Sequence, residues 1–202
     1  MSLTFYYTPQ SSADRVHASL QALGIPPEEL RVDLRAGDQK KPEFLALNPN
    51  AKVPLIVIDG TPVFESVAIQ IALGERYGVE KGLWPALNSP EHLTALTWLV
   101  WAQVNLTGAV FRYMQNTSDW FPKDQQNPAQ AVAALAEMKD LLVMLDAQLN
   151  GRDYITGKNN TLVDIDIGSV LGWGLMMAKL DMTPYANVAR WLPRVSGPSA
   201  AS

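Results

Sequence analysis

The sequence predicts two domains, a small mixed α/β domain followed by an all-helical one. Short β-type runs alternate with helical ones up to Tyr77, and from Pro90 onward only helical periodicity remains. The segment between them, GVEKGLWPALNSP, is rich in turn-forming residues of the kind that join domains. We therefore expect domains at residues 1–78 and 89–202, with a linker at residues 79–88.

The first domain has the predicted order β-α-β-α-β-β-α. LTFYY predicts a strand, and Ala13 to Leu23 predicts a helix that ends at a glycine. ELRVDL predicts a second strand, and KKPEFLALN predicts a short helix with Pro42 in its first turn. VPLIVID and TPVF form a hairpin around an Asp-Gly turn, and a helix from Ser66 to Tyr77 follows. A helical crossover links the first two strands, so we expect them to be parallel.

The second domain is predicted to be a helical bundle. Its helices are expected at residues 90–115, 128–149, 162–179 and 184–195. The stretch from Thr161 to Asp164 places an acid three residues after a threonine, a capping box with aspartate instead of Glu or Gln, and we favour a structural role for it. The tail at residues 196–202 is expected to fray.

Composition argues against several classes of function. The chain has 202 residues and a net charge of −4, and its longest basic cluster is Lys40-Lys41, so we expect no nucleic-acid partner. It has no cysteine and only two histidines, which excludes disulfides and argues against a metal centre. No apolar run reaches the roughly 18 residues of a membrane span, and the first residues do not form a charged segment followed by an apolar core. We expect a soluble cytoplasmic protein with no membrane partner.

Two serines lie where the first helix begins. A helix N-terminus presents unpaired N–H groups and a partial positive charge, which favour an anion beside it. A serine hydroxyl there can donate to a thiolate. Read alone, however, Ser11 or Ser12 is more simply explained as an N-cap of the helix.

Two dipeptides suggest how a peptide-like ligand could be held. Val53-Pro54 precedes a buried strand, where a cis bond would expose the Val53 backbone, although a strand-initiating trans proline is the commoner case. Glu65-Ser66 lies at a strand-to-helix junction, where an acid and a helix start suit the ammonium and carboxylate of an amino-acid end. A simple cap by Ser66 explains that pair equally well.

Together these stretches resemble the soluble glutathione transferases over nearly the whole chain. The resemblance is carried by YYTPQSSADRV, DQKKPEFLALNPNAKVPLIV, ESVAIQIALGERYG and TLVDIDIGSVLGW. It implies a thioredoxin-like N-terminal domain followed by an all-helical C-terminal domain, with glutathione as co-substrate and no metal. It also implies a homodimer in which the sheet domain of one chain packs against the helical domain of the other.

The resemblance assigns the residues that would bind glutathione. Val53 would pair its backbone with the cysteinyl part, Pro54 would be cis, and Glu65 with Ser66 would hold the γ-glutamyl end. The remaining candidates are Lys52 and Gln39, toward the glycine carboxylate, and Gln10 in the first loop.

The opening stretch is most similar to the bacterial beta class, whose pattern is Tyr-x-Pro-Gly-x-Cys. Counting from Pro9, Ser12 stands at the cysteine position and Gln10 at the glycine. A serine cannot form a mixed disulfide with glutathione, so the resemblance implies thiolate stabilisation by a hydroxyl. We rank Ser12 first as the catalytic residue, followed by Ser11 and by Tyr7, which stands near the catalytic tyrosine of the tyrosine-type classes.

The predicted function is a glutathione transferase, whose bound thiolate attacks a small apolar electrophile. A helix N-terminus and a hydroxyl donor would lower the thiol pKa from about 8.5 toward neutrality. Trp101, Phe111 and Met114 could form the apolar wall for the electrophile, although bundle core is the commoner role of such residues. A glutathione-dependent disulfide reductase, a glutathione-dependent isomerase or dehalogenase, and a non-catalytic binding module remain alternatives.

Overall fold

The computed structural model describes residues 2–195, and the chain divides into two units, Met1–Leu87 and Asn88–Ser202. The first unit is a mixed α/β domain of thioredoxin type and the second is helical, so the predicted fold class is confirmed. The predicted fraying at residues 196–202 lies outside the described residues.

A four-stranded sheet forms the centre of the first unit. Its strands are β1 (Leu3–Tyr7), β2 (Glu28–Arg31), β3 (Leu55–Ile58) and β4 (Thr61–Phe64), in the spatial order β2-β1-β3-β4. β1 pairs with β2 in parallel, as predicted, and β3 pairs antiparallel with both β1 and β4. β2 ends earlier than the predicted strand ELRVDL. A turn begins at Asp33, because its side-chain carboxylate accepts the backbone N–H groups of Arg35 and Ala36.

Helices cover both faces of this sheet. α1 (Ala13–Leu23) and α3 (Ser66–Leu73) pack against each other, and α2 (Pro42–Leu45) follows a 3₁₀ turn at Asp38–Lys40. Side chains of β1 alternate between the two faces. Phe5 lies near the His17 ring of α1, whereas Tyr6 meets Phe44 of α2 edge to face.

The predicted helix from Ser66 to Tyr77 changes character part of the way along. It is α-helical to Leu73 and continues as a π-helical turn at Gly74–Gly78. Trp84 is only 2% exposed and lies over this turn, where a Cβ at Gly74 would overlap its ring and one at Gly78 would lie 2.8 Å from its Cβ. Trp84, from the predicted linker segment, therefore belongs to the core of the first unit.

The second unit is a bundle of five helices among the described residues. They are α4 (Pro90–Trp101), α5 (Thr107–Gln115), α6 (Pro128–Gln148), α7 (Leu162–Ala178) and α8 (Ala186–Val195). A π-helical turn at Ala102–Leu106 joins α4 to α5, so the predicted helix 90–115 is continuous but not α-helical throughout. Within residues 2–195 this is the one helical stretch long and apolar enough to span a membrane by length and composition, which the sequence analysis did not anticipate. Its buried side chains, including Leu99 and Leu106, contribute to the bundle core.

The predicted capping box at the start of α7 is confirmed. The Asp164 carboxylate is fully buried and accepts the backbone N–H and the hydroxyl of Thr161 at 3.0 and 2.8 Å. It also accepts the Ile155 N–H at 2.8 Å and the Trp191 indole N–H at 2.9 Å. One side chain thus fixes the start of α7, the preceding loop and α8.

Candidate active site

The loop between β1 and α1 is held by two hydroxyl groups. Thr8 Oγ1 donates to the Val32 carbonyl and Ser11 Oγ donates to the Thr8 carbonyl, both at 2.6 Å. Ser11 Oγ also accepts the Ala13 backbone N–H at 3.1 Å. A serine hydroxyl has one proton, so the Ser11 proton is already engaged within the loop and this side chain supports the start of α1.

Ser12 has a different environment. It occupies the N-cap position of α1, but its side chain makes no capping bond to the helix. The residue is exposed, and its hydroxyl donates to the Val53 carbonyl at 3.1 Å. The preceding Gln10 has φ = +60°, a conformation that favours glycine, which fits the glycine of the beta-class pattern. The fold therefore joins Ser12 to Val53, two candidates that lie far apart in the sequence.

Tyr7 lies on the α1 side of the sheet. Its ring stacks on Phe5 with a centroid separation of 5.4 Å and lies 6.2 Å from the His17 ring. His17 in turn pairs with Glu29 at 3.2 Å. Tyr7 is thus part of an aromatic cluster, whereas Ser12 is bonded to the Val53 loop.

The Val53-Pro54 peptide bond is cis, as the resemblance implies. Asn48, which is 2% exposed, donates from Nδ2 to the Lys52 carbonyl at 2.7 Å and accepts the Asn50 N–H at 3.0 Å. This buried asparagine fixes the segment that leads to Val53. No motif in the sequence marks Asn48 for this role, although an asparagine directly before a proline is a typical turn residue.

Lys52 and Gln39, the two candidates for binding the glycine carboxylate, differ in how far their side chains are already bonded. The exposed Lys52 side chain makes no ion pair with any residue in the range 2–195. Gln39 lies in the 3₁₀ turn and donates from Nε2 to the Leu34 carbonyl at 3.3 Å, while its buried Oε1 has no partner among residues 2–195. Lys52 can therefore bind an anion without breaking an existing ion pair, whereas the Gln39 amide already donates a hydrogen bond to the Leu34 carbonyl.

Glu65 and Ser66 are each held by a residue that the sequence analysis missed. Glu65 has φ = +68°, an uncommon conformation for a residue with a Cβ, and its carboxylate accepts Asn50 Nδ2 at 3.0 Å. Ser66 is 5% exposed and accepts a hydrogen bond from the Arg15 guanidinium. Glu65 is the N-cap residue of α3 and makes no side-chain cap, so the expectation that Ser66 caps this helix is wrong. Only the tertiary fold brings Asn50 and Arg15 to this pair.

The candidates for the apolar wall lie in the second unit with unequal exposure. The Trp101 ring packs edge to face on the Trp98 ring, with a centroid separation of 4.7 Å. The Phe111 and Phe121 rings also pack edge to face, with centroids 5.9 Å apart. Phe111 is 45% exposed, whereas Met114 is only 4% exposed. Phe111 therefore offers surface to a ligand, and Met114 lies mainly in the bundle core.

One carboxylate lies close to the opening serines. Burial raises the pKa of Asp14 in the first turn of α1, while the Gln10 backbone, the His17 charge and the Ser11 backbone lower it. A negative charge here would oppose a thiolate at the same helix start. Among residues 2–195 no group of three or more His, Asp or Glu side chains could hold a metal ion.

Solved structures of the same fold come from several kingdoms. A glutathione transferase from Methylococcus capsulatus is 23% identical, with a TM-score of 0.81 over 95% of this chain and 91% of that one. A delta-class glutathione transferase from Nilaparvata lugens is 26% identical, with a TM-score of 0.82 over 96% and 87%. A glutathione transferase homolog from Lodderomyces elongisporus, solved with two glutathione molecules per subunit, is 18% identical, with a TM-score of 0.86 over 96% and 93%.

Family models cover most of the sequence. The model of the glutathione S-transferase N-terminal domain matches residues 1–71, and that of the glutathione S-transferase C-terminal domain matches residues 96–197. The first matched range contains the serines, the cis proline and the Glu65-Ser66 pair, and the second contains most of the helical bundle. The chain belongs to the glutathione S-transferase family.

Proposed function

We propose that this protein is a glutathione transferase, and that Ser12 stabilises the thiolate of bound glutathione. The observation that carries the proposal is the hydrogen bond from Ser12 Oγ to the Val53 carbonyl. It puts the hydroxyl beside the cis-proline loop, where the resemblance places the cysteinyl part of glutathione. Ser11 is a weaker candidate because its proton is engaged by the Thr8 carbonyl.

Binding of glutathione would change the partner of the Ser12 proton. The cysteinyl N–H of the ligand would donate to the Val53 carbonyl, and the Ser12 hydroxyl would then rotate to donate to the sulfur. A carbonyl oxygen has two acceptor sites, but a serine hydroxyl has only one proton to give. The partial positive charge at the start of α1 also favours the anion.

The expected size of this effect is set by a charge-assisted hydrogen bond. Such a bond contributes about 1.5–3 kcal/mol. One pKa unit corresponds to about 1.4 kcal/mol, so Ser12 would lower the thiol pKa by roughly one to two units. From an ordinary value of about 8.5, this brings the thiol close to neutrality.

The two ends of glutathione would be bound by charge. Ser66 and the N–H groups at the start of α3 would take the γ-glutamyl carboxylate, and Glu65 would take the ammonium. Lys52 would pair with the glycine carboxylate. Gln39 and Gln10 complete the proposed site as hydrogen-bonding side chains at its edge.

The reaction would be a nucleophilic attack by the thiolate on a small apolar electrophile. A carbon–sulfur bond forms, and either the leaving group departs with its electron pair or the electrophile is protonated after addition. Trp101 and Phe111 would supply aromatic surface for the electrophile, and Met114 would add the small part of its side chain that is exposed. The protein would be a beta-class-like transferase with a serine in place of the catalytic cysteine. The Tyr-x-Pro pattern and Ser12 at the cysteine position support this.

The test is the ionisation of the bound thiol. Ser12→Ala should raise the pKa of glutathione bound to the protein by roughly one to two units, measured by thiolate absorbance against pH. Glutathione affinity, measured by calorimetry, should change little. Ser11→Ala serves as the comparison variant and should leave the thiol pKa unchanged. An unchanged thiol pKa in Ser12→Ala would show that Ser12 has no part in ionisation.

Activity assays separate this proposal from its alternatives. Conjugation of glutathione to a chlorodinitrobenzene is expected, and reduction of a glutathione mixed disulfide is not. The reverse pattern would assign a reductase, and turnover of a haloalkane or a cis alkene would assign a dehalogenase or an isomerase. A wild-type protein that binds no glutathione would be a non-catalytic module.

We also propose that the protein is a cytoplasmic homodimer. Support comes from the α4–α5 stretch, where the apolar side chains of Leu93, Val100 and Val104 are 63%, 49% and 67% exposed. Three large apolar side chains exposed along one helix are typical of an interaction surface. Light scattering coupled to size-exclusion chromatography should give twice the chain mass, and Val104→Glu should shift it toward the monomer.

A further inference from the structure

A buried arginine lies behind the Glu65-Ser66 pair. Arg15, on α1, is 3% exposed, and its guanidinium donates to Ser66 Oγ. Gln70, on α3, is fully buried and donates from Nε2 to the Arg15 carbonyl at 3.2 Å. Arginine is rarely this buried, because a charged group loses its hydration in the interior. Its position next to Ser66 therefore invites a functional explanation.

The direction of the Arg15 to Ser66 bond fixes what Ser66 can do. A guanidinium has only donors, so Ser66 Oγ must act as the acceptor. The Ser66 proton is then directed away from Arg15, and it has no acceptor among residues 2–195. Ser66 is thus held as a hydrogen-bond donor, with a cation behind it that strengthens that donation.

The surroundings of Ser66 suit a carboxylate that carries a neighbouring ammonium. The first N–H groups of α3 have no partner within the helix, and Ser66 is the first residue of that helix. The adjacent Glu65 carboxylate is held by Asn50 Nδ2 at 3.0 Å. A donor group and an acceptor group therefore stand side by side, each fixed by a residue from another element.

We propose that Arg15 is a positioning residue for the γ-glutamyl carboxylate of glutathione. It orients the Ser66 hydroxyl as a donor to that carboxylate and adds positive charge behind it. This inference rests on the proposed function, because it assumes that Ser66 receives the γ-glutamyl end. Arg15 does not touch the ligand in this scheme and acts only through Ser66.

The experiment compares two ligands by calorimetry. One is glutathione, and the other is γ-aminobutyryl-cysteinyl-glycine, which keeps the ammonium and lacks the carboxylate. Arg15→Met should weaken glutathione binding roughly tenfold or more, and should change binding of the analogue by less than about twofold. Arg76→Met is the matched control, because Arg76 is 53% exposed and pairs only loosely with Asp59 at 3.9 Å. It should alter neither affinity.

A purely structural role for Arg15 predicts a different result. If Arg15→Met only loosened the packing of α1 against α3, it would weaken binding of both ligands equally. That outcome would overturn the proposal. Ser66→Ala provides a test that does not depend on the folding of Arg15→Met. Ser66→Ala should weaken binding of glutathione but not of the analogue. Adding Arg15→Met to Ser66→Ala should weaken glutathione binding little further. Full glutathione affinity in Ser66→Ala would also overturn the proposal.

Failure of this inference can be told apart from failure of the proposed function. A wild-type protein that binds no glutathione refutes the glutathione site as a whole. A wild-type protein that binds glutathione, together with Arg15 and Ser66 variants that bind it equally well, refutes only the role given to Arg15.

Discussion

Asp164→Asn should destabilise the helical unit, although asparagine keeps the shape of the side chain. The two carboxylate oxygens accept four hydrogen bonds, two each. An asparagine replaces one of these oxygens with an NH₂ group, which can only donate. If that group faces Thr161, the hydroxyl can rotate to accept from it, but the backbone N–H is left without a partner in the interior.

The expected loss in the free energy of unfolding follows from the hydrogen bonds that Asp164→Asn removes. A buried N–H without an acceptor costs about 1–3 kcal/mol. Burial raises the pKa of Asp164, against hydrogen bonds from Ile155, Trp191 and Thr161 that lower it, so asparagine recovers part of the desolvation cost. We expect a net loss of about 1–2 kcal/mol, which lowers Tm by roughly 2–8 °C in a chain of this size.

The assay is thermal and urea unfolding followed by circular dichroism. Asp153→Asn is the control, because Asp153 is 59% exposed and its pairing with Arg194 at 3.4 Å is worth little. Since burial raises the Asp164 pKa, the folded state binds the proton more tightly than the unfolded state. Wild-type stability relative to Asp164→Asn should therefore increase as the pH falls through that pKa, and decrease as it rises. A Tm change no larger than that of Asp153→Asn would refute the reasoning.

Three further predictions concern the first unit. Gly74→Ala should cost about 1–3 kcal/mol in urea unfolding, because the added methyl overlaps Trp84, and an unchanged midpoint would contradict that packing. Asn50→Ala should weaken glutathione binding several-fold by releasing the Glu65 carboxylate, yet it should leave binding of N-acetylated glutathione unchanged in calorimetry. Asp14→Asn should lower the pKa of bound glutathione in the absorbance titration, since it removes a negative charge near the thiolate, and a raised pKa would exclude this effect.

Local patterns in the sequence were sufficient to predict most of the elements. α1 begins and ends where predicted, because the apolar spacing is helical and Gly24 adopts a left-handed φ of 62°. The hairpin of β3 and β4 turns at Asp59 and Gly60, both with positive φ, as the Asp-Gly pair requires. The capping box at Asp164 likewise depends on residues three positions apart. Each of these features is decided by side chains close together in the chain.

The candidate site could be predicted only in part. Its residue types were identified by motif, and the cis bond before Pro54 agrees with that reading. The sequence could not separate Ser11 from Ser12 by partner, since one bonds within its own loop and the other bonds to Val53, 41 positions away. Arg15 was missed altogether, because nothing near it in the chain marks it as a partner of Ser66.

The sequence by itself determined the order of strands and helices, the family and the residue types of the site, because these depend on periodicity and short motifs. Tertiary structure alone decided which serine hydroxyl bonds outside its own loop, which carboxylate is held, and which arginine is buried. These depend on hydrogen bonds between α1, the Val53 loop and the start of α3, which are distant in the chain. A buried donor must find an acceptor wherever the fold provides one, and spacing along the chain does not encode that choice.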